Sequence, residues 1–269
     1  MGTTTRGRGG VVAAVLCVGL IAAGCGSDSK SADSTTTAAS KVSTENAAFC
    51  TKFMEADAAV NQLQSGSGSP DATNTALADA QKAAPAALTD TVDSLVTGMK
   101  TFLASPEAQQ SQNGPPDDVT NSYYDVVKWM SGNCGYQDVA VKAQEYKYIG
   151  MPESLDAGPT LVSLTNEGSE FHEVVIIKKK PGTTETAEEI IALPQEEAMT
   201  KVDMVTTAFA EPGKTAWASA TLTPGDYIFA CFIPVGFTPE AAKQAEKSGE
   251  EPQGEPHALK GMVHEFTIK

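Results

Sequence analysis

Basic residues and histidines are scarce in this 269-residue chain, and each shortage excludes a class of function. The chain has 19 Lys and Arg against 34 Asp and Glu, a formal charge of −15. It therefore offers no basic surface to neutralise phosphates, which argues against a nucleic-acid partner. None of its three histidines precedes His172, so the first half cannot hold a histidine-dependent catalytic triad. The CxxC, HExxH, Walker and GxSxG patterns are also missing.

Long apolar runs are scarce as well, and the longest one stands at the N-terminus. Residues 11–23 are apolar but too few for a bilayer-spanning helix, which needs about 20 residues. Arg6 and Arg8 precede this run, and small residues lead into Cys25, which predicts a signal peptide over residues 1–24. "LIAAGC" resembles the bacterial lipobox, which implies that Cys25 carries a lipid and anchors an extracytoplasmic protein. An ordinary signal peptide cut nearby is the alternative.

The composition then changes twice along the chain. Residues 25–42 are rich in Ser, Thr and Ala and predict a flexible tether. Residues 43–137 show apolar residues at helical spacing, which predicts three or four helices in a small bundle. Pro70, Pro85 and Pro116 stand where helices could begin. The predicted buried faces are Phe49, Phe53, Ala56, Val60 and Leu63; Leu88, Val92, Leu95, Met99 and Phe102; and Val119, Tyr123, Val126, Met130 and Cys134.

Two cysteines lie on these buried faces. Cys50 borders the apolar face of the first helix, and Cys134 extends that of the last. A secreted protein oxidises thiols that come within bonding distance, so a Cys50–Cys134 disulfide is predicted. In the chain-entropy model it stabilises the fold by about 4 kcal/mol. Two buried free thiols are the alternative.

From residue 138 onward, short apolar or alternating runs are separated by Gly, Pro and Asn, which predicts a β-sandwich or barrel. The runs are residues 143–150, 160–168, 172–179, 215–222, 226–233 and 262–269. Residues 186–202 could add a short helix. The predicted fold class is therefore α+β multidomain, with a small helical bundle over residues 43–137 and an all-β domain over residues 138–269.

This β region also holds the residues that carry chemistry. All three histidines, His172, His257 and His264, lie here, together with Cys231, the one cysteine left without a partner or a modification once the predicted signal peptide is removed. Cys231 follows Tyr227 and Phe229 at alternating positions of an apolar run, so these three side chains are predicted to share a face. A cysteine that stays unpaired in an oxidising compartment indicates that its free thiol has a function.

Residues 138–269 resemble plastocyanin and the wider cupredoxin family, whose fold is a Greek-key β-sandwich. The resemblance consists of a histidine after an Asn-and-Gly loop, the "YxFxC" strand, and the "HxxxxM" step near the C-terminus. It implies one type 1 copper with His172, Cys231 and His257 as equatorial ligands and Met262 as the weak axial ligand. His264 is not counted among the ligands. A thiolate, two imidazoles and a distant thioether suit both oxidation states of copper.

Two features depart from the plastocyanin pattern. The cysteine and the second histidine are three residues apart in plastocyanins, whereas residues 232–256 separate them here. Glu173 follows the first histidine, where plastocyanins often have Asn.

The cupredoxin resemblance implies one-electron transfer by a protein that is not an enzyme, and the lipobox resemblance implies that this protein is membrane-anchored and extracytoplasmic. Its expected partners are the membrane, through the N-terminal lipid, and an unidentified redox protein. Two alternatives remain open: a metal-free cupredoxin-like binding or scaffold module, and a protein that captures or delivers copper through the same ligands.

Overall fold

The structure is a computed structural model that describes residues 42–105, 114–248 and 253–269. The predicted signal peptide, the lipid-bearing Cys25 and the tether up to residue 41 lie outside the described residues. The fold class is confirmed: helices fill the first half of the described chain and two β-sheets fill the second. No helix among these described residues is both long enough and apolar enough to cross a membrane.

Four helices among the described residues precede the sheets. They are α1 (Thr44–Gln64), α2 (Pro70–Lys82), α3 (Thr89–Ala104) and α4 (Asp117–Asn133). Pro70 opens α2 and Pro116 directly precedes α4, because the fixed φ of proline suits a helix start. Pro85 does not begin a helix. A turn follows it, in which the Leu88 N–H donates to the Pro85 carbonyl at 2.8 Å, and α3 begins after this turn.

The predicted apolar faces form the core of this helical part. Most of their residues are buried, among them Phe49 and Val126 at 0% exposure. A disulfide joins Cys50 on α1 to Cys134 just after α4, with the two Cα atoms 5.8 Å apart. The predicted disulfide is therefore confirmed, and it ties the first helix of the bundle to the last.

Nine strands among the described residues form the two sheets. They are β1 (Gln137–Gln144), β2 (Lys147–Ile149), β3 (Ser154–Leu155), β4 (Gly158–Asn166), β5 (His172–Lys179), β6 (Val202–Ala210), β7 (Thr215–Leu222), β8 (Gly225–Ala230) and β9 (Val263–Ile268). One sheet has the order β2-β1-β4-β7 and the other β3-β9-β8-β5-β6. The inner faces of both contribute to one buried core.

Some strand predictions need correction. Residues 143–150 are not one strand, because β1 ends at Gln144 and the chain turns back into β2, which pairs antiparallel with it. Residues 186–202 hold two short helices instead of one, α5 (Ala187–Ile191) and α6 (Gln195–Lys201). The edge strand β6 follows them and was not predicted, since its burial does not alternate regularly.

Strand β4 is covered on both faces, which joins the helical part to the sandwich. Val162 and Leu164 point into the sandwich core, whereas Leu161 packs among the helix residues. The Tyr123 hydroxyl on α4 accepts a hydrogen bond from the Ser219 N–H on β7 at 3.1 Å. The helices therefore pack directly on the outer face of the first sheet, within one compact unit. The domain boundary near residue 137 stays a prediction.

Candidate copper centre

The strands of the second sheet bring two of the predicted ligands together. His172 is the first residue of β5, and Cys231 directly follows β8, which pairs antiparallel with β5. Tyr227, Phe229 and Cys231 all belong to the sandwich core, while Ile228 packs in a separate cluster on the other face. The predicted shared face is confirmed, and it points the Cys231 thiol into the core.

The two ends of the long segment between Cys231 and His257 lie side by side. The Val235 N–H donates to the Glu255 carbonyl at 3.0 Å, and the His257 N–H donates to the Ile233 carbonyl at 2.9 Å. The Ala258 N–H then donates to the Cys231 carbonyl at 2.8 Å. These antiparallel contacts close the base of the insertion, so His257 stands beside Cys231 although 26 residues separate them in the chain. Helix α7 (Pro239–Ser248) lies within the insertion, beyond this closed base.

Three potential ligand atoms converge inside the sandwich. The Nδ1 atoms of His172 and His257 are 3.1 Å apart, and the Cys231 Sγ is 3.4 Å from the Nδ1 of His257. All three residues are fully buried, and one ligand atom from each lies within 4.8 Å of the others. Donors bound to one first-row transition metal at about 2.0–2.3 Å lie at such separations from each other.

A carboxylate fixes the orientation of the second imidazole. Glu170 Oε2 lies 3.1 Å from Nε2 of His257 and also accepts from the Gly236 N–H at 2.5 Å. The Tyr146 hydroxyl donates to the other oxygen of Glu170 at 2.9 Å. In this contact the Glu170 oxygen is the acceptor and Nε2 of His257 is the donor, which places the ring proton on Nε2. Its Nδ1 therefore presents a lone pair toward His172 and Cys231.

The first imidazole also faces a carboxylate, but at a longer distance. Nε2 of His172 is buried without a hydrogen-bond partner among the described residues, and Glu145 Oε1 is 3.7 Å away. Although burial alone would raise the pKa of Glu145, hydrogen bonds from the backbone N–H groups of Glu170 and Ser169 lower it to about 2. Burial lowers the pKa of both His172 and His257, which favours the neutral imidazoles that bind metals.

The Cys231 thiol is buried, and two backbone N–H groups point at its sulfur. Burial raises the pKa of Cys231 to about 12, while hydrogen bonds from the backbone N–H groups of Glu173 and Ile233 act in the opposite direction. The Glu173 side chain accepts from the Phe232 N–H at 2.9 Å. Glu173 thus takes part in holding the cysteine segment through both its backbone and its side chain. Without a metal the thiol keeps its proton, and a cation that binds must displace it.

The remaining candidates occupy two different positions. Met262 is fully buried in the same core as Cys231, and its carbonyl accepts from the Cys231 N–H at 3.1 Å. His264 lies on β9, where its Nε2 is 2.9 Å from the Pro152 carbonyl, and it is outside the buried cluster. The roles assigned to the four predicted ligands stay predictions.

Sequence reasoning missed the carboxylates around this cluster. Glu170 is only 8% exposed, and the buried Asn166 holds its loop by donating to the carbonyls of Glu170 and Ala210 at 2.8 and 2.9 Å. The signal available in the sequence was an acidic residue two positions before a candidate ligand, within the Asn-and-Gly loop. Glu145 offered no such signal, because it lies on the turn between β1 and β2.

The donor set fits a copper ion. Two neutral imidazoles and a cysteine sulfur form the trigonal donor set of type 1 copper sites. With the His257 proton on Nε2, its Nδ1 lone pair faces another imidazole nitrogen and a sulfur, and a cation placed among them would satisfy all three. The chain therefore has a buried His172–Cys231–His257 group that could bind one copper ion.

Comparisons with solved structures find similar proteins for about half of the chain. Auracyanin B is 18% identical over 49% of this chain and 88% of its own, with a TM-score of 0.33. Auracyanin A from Chloroflexus aurantiacus, described as a "blue" copper protein, is 14% identical over 49% of this chain and 99% of its own, at 0.30. Reduced rusticyanin is 19% identical over 49% and 77%, at 0.27.

A multicopper oxidase is also similar, at 11% identity over 49% of this chain and 44% of its own, with a TM-score of 0.27. No family model and no curated protein sequence matches the chain. TM-scores of this size carry no argument about function. The evidence for a metal site is therefore this chain's own His172–Cys231–His257 group, which lies within its β-sandwich.

Proposed function

We propose that this protein carries one electron at a time through a single type 1 copper held by His172, Cys231 and His257, with Met262 as the weak axial ligand. The observation that carries the proposal is the convergence of two imidazole Nδ1 atoms and one thiol sulfur in a fully buried position. Copper bound there would supply a one-electron couple between Cu(II) and Cu(I).

The residues around the group have separate tasks in this function. Glu170 orients the His257 ring through Nε2, so that the ring does not need to turn when the charge of the site changes. The backbone N–H groups of Glu173 and Ile233 stabilise negative charge on the Cys231 sulfur. The surrounding apolar core excludes water from the sulfur. A preorganised and dry site changes little on gaining or losing an electron.

Burial favours electron transfer over copper delivery. All three ligand residues have 0% exposure, and the closed base of the insertion covers His257. A protein that hands its metal to another must expose the ligands to exchange them, whereas an electron can pass through the protein without that exposure. Retention of the metal through redox cycles is therefore expected.

The proposal extends to location and partners. The "LIAAGC" segment supports a lipid on Cys25 and an extracytoplasmic position at the membrane, and the disulfide fits an oxidising compartment. The proposed partner is another redox protein. Phe232 and Leu259 lie one and two residues from ligands and are 40% and 41% exposed, so they offer apolar contact area near the site.

The test is the visible absorption spectrum after one equivalent of Cu(II) is added to the purified protein. A copper–thiolate bond gives an intense visible charge-transfer band, so the protein should become blue or green. Cys231→Ser should abolish the band, and His172→Ala or His257→Ala should remove or strongly shift it. His264→Ala is the matched control and should keep it, because His264 bonds to Pro152 outside the cluster.

Redox cycling separates the two copper functions. An electron carrier should pass through repeated reduction and reoxidation with its copper content unchanged. Loss of the metal on reduction would favour delivery. Wild-type protein that takes up no Cu(II), or binds it without the thiolate band, would refute the proposal in favour of a metal-free module.

A further inference from the structure

A cavity lies away from the copper centre, between the helices and strands β6 and β7, one from each sheet. Its volume is about 520 Å³, within the range of pockets that bind small molecules. Met204 lines it and is 58% exposed, which shows that the cavity reaches the surface along β6.

The walls of the cavity are mainly apolar. Each of the four described helices α1–α4 contributes side chains, and β6 and β7 close the other side. Phe53, Leu95, Val96 and Trp217 are representative of this lining. Such a surface would bind the apolar body of a small molecule, because each contact removes apolar area from water.

One carboxylate stands in this apolar lining. Asp57 on α1 lines the cavity and accepts a hydrogen bond from the Ser219 hydroxyl at 2.6 Å, and the Tyr123 hydroxyl also donates to it. No Lys, Arg or His among the described residues forms an ion pair with it. A carboxylate has about four lone-pair positions, so two remain for a ligand.

The charge of Asp57 is costly where it stands. Burial raises its pKa to about 6, although the Ser219 and Tyr123 hydrogen bonds oppose the rise. The group is therefore still mostly ionised at pH 7, with only neutral donors as partners. Asp57 is partly buried and has no charged partner among the described residues, so a cation in the cavity would be attracted to it.

We propose that this cavity binds a small molecule with an apolar body and a protonated amine, whose ammonium group pairs with Asp57. The apolar walls account for the body and the unpaired carboxylate accounts for the charge. The proposal does not depend on copper, since none of the copper ligands lines the cavity.

Two fluorescent probes can test it with the full-length protein. The first is dansylcadaverine, which carries a primary ammonium on a five-carbon chain, and the second is N-pentyl dansylamide, which has the same body without the amine. Wild-type protein should bind the amine probe saturably, with one site and a blue-shifted emission. It should bind the neutral probe at least about tenfold more weakly, since hydrogen bonds to charged groups contribute about 1.5–3 kcal/mol.

Asp57→Asn should lower the affinity for the amine probe by about tenfold or more and change the affinity for the neutral probe by less than about twofold. The matched control is Asp138→Asn, because Asp138 also accepts from a serine, Ser131, at 3.2 Å but lies outside the cavity. Met99→Trp should abolish binding of both probes by filling the space between the walls. Circular dichroism checks that each variant is folded.

Three results would overturn the proposal. The first is wild-type protein that binds neither probe saturably. The second is equal affinity for the two probes, with Asp57→Asn behaving like Asp138→Asn, which would leave no role for the charge. The third is a folded Met99→Trp variant that still binds the amine probe as the wild type does, which would place the binding elsewhere.

Discussion

Replacing Glu170 tests whether the copper ligands are held by the carboxylate behind them. Glu170 accepts three hydrogen bonds, from His257 Nε2, the Gly236 N–H and the Tyr146 hydroxyl, and it is nearly buried. Glu170→Ala leaves the fully buried Nε2 of His257 without an acceptor, whereas Gly236 is exposed and its N–H can bond to water. At about 1–3 kcal/mol for a buried unsatisfied donor, the free energy of unfolding should fall by about 1–3 kcal/mol.

Glu170→Gln separates this structural effect from the effect on the metal. Its amide oxygen can still accept from His257 and Gly236, so the stability of the metal-free protein should fall much less than in Glu170→Ala. The amide lacks the negative charge that makes His257 a better donor to the metal. Copper affinity should therefore fall by about 10–100-fold, the usual cost of changing a partner of a ligating histidine.

The assays are thermal or urea unfolding of the metal-free protein and competition for Cu(II) against a chelator of known affinity. Glu265→Gln is the matched control, since Glu265 makes the same kind of carboxylate contact with Lys179 at 3.0 Å but is 46% exposed and lies on β9 outside the cluster. Equal copper affinity in Glu170→Gln and Glu265→Gln would refute the reasoning, as would a Glu170→Ala variant as stable as the wild type.

Four further predictions follow from other parts of the chain. The double variant Cys50→Ala, Cys134→Ala should lower the free energy of unfolding by about 4 kcal/mol in urea titrations. An unchanged free energy of unfolding would contradict the stabilisation expected from a disulfide between residues 84 positions apart. Met262→Leu should keep the visible band and raise the reduction potential, whereas a lost band would make Met262 an essential ligand. Replacing residues 243–249 with a short Gly-Ser linker should leave copper affinity within about threefold, because the base of the insertion stays paired. Cys25→Ser should move the protein from the membrane fraction to the soluble one, and unchanged partitioning would exclude lipid on Cys25.

Local patterns made much of the fold predictable. Helical spacing identified the buried faces of the bundle, and the same faces placed Cys50 and Cys134 where a bond could form. Alternation along β8 gave the face on which Cys231 lies. Strand β6 escaped prediction because it is an edge strand with an irregular burial pattern and an exposed Met204, and period-two alternation is the signal that such a prediction needs.

The features that could not be predicted depend on contacts between distant parts of the chain. Glu145 and Glu170 approach the histidines only after the β1–β2 turn and the loop before β5 fold against each other. Asp57 meets Ser219 across 162 residues of sequence. No local period encodes such pairs, since their positions follow from the packing of whole elements.

The packing of the helices on β4 and β7 bears on whether either half could exist alone. Leu161 and Trp217 point away from the sandwich core and take part in the core of the helices. Without the helices, these side chains and their neighbours would form an apolar patch open to water, of the kind that causes proteins to associate. The outer face of the first sheet is thus an interior surface of the protein, and separating the helices from the sandwich would expose it to water.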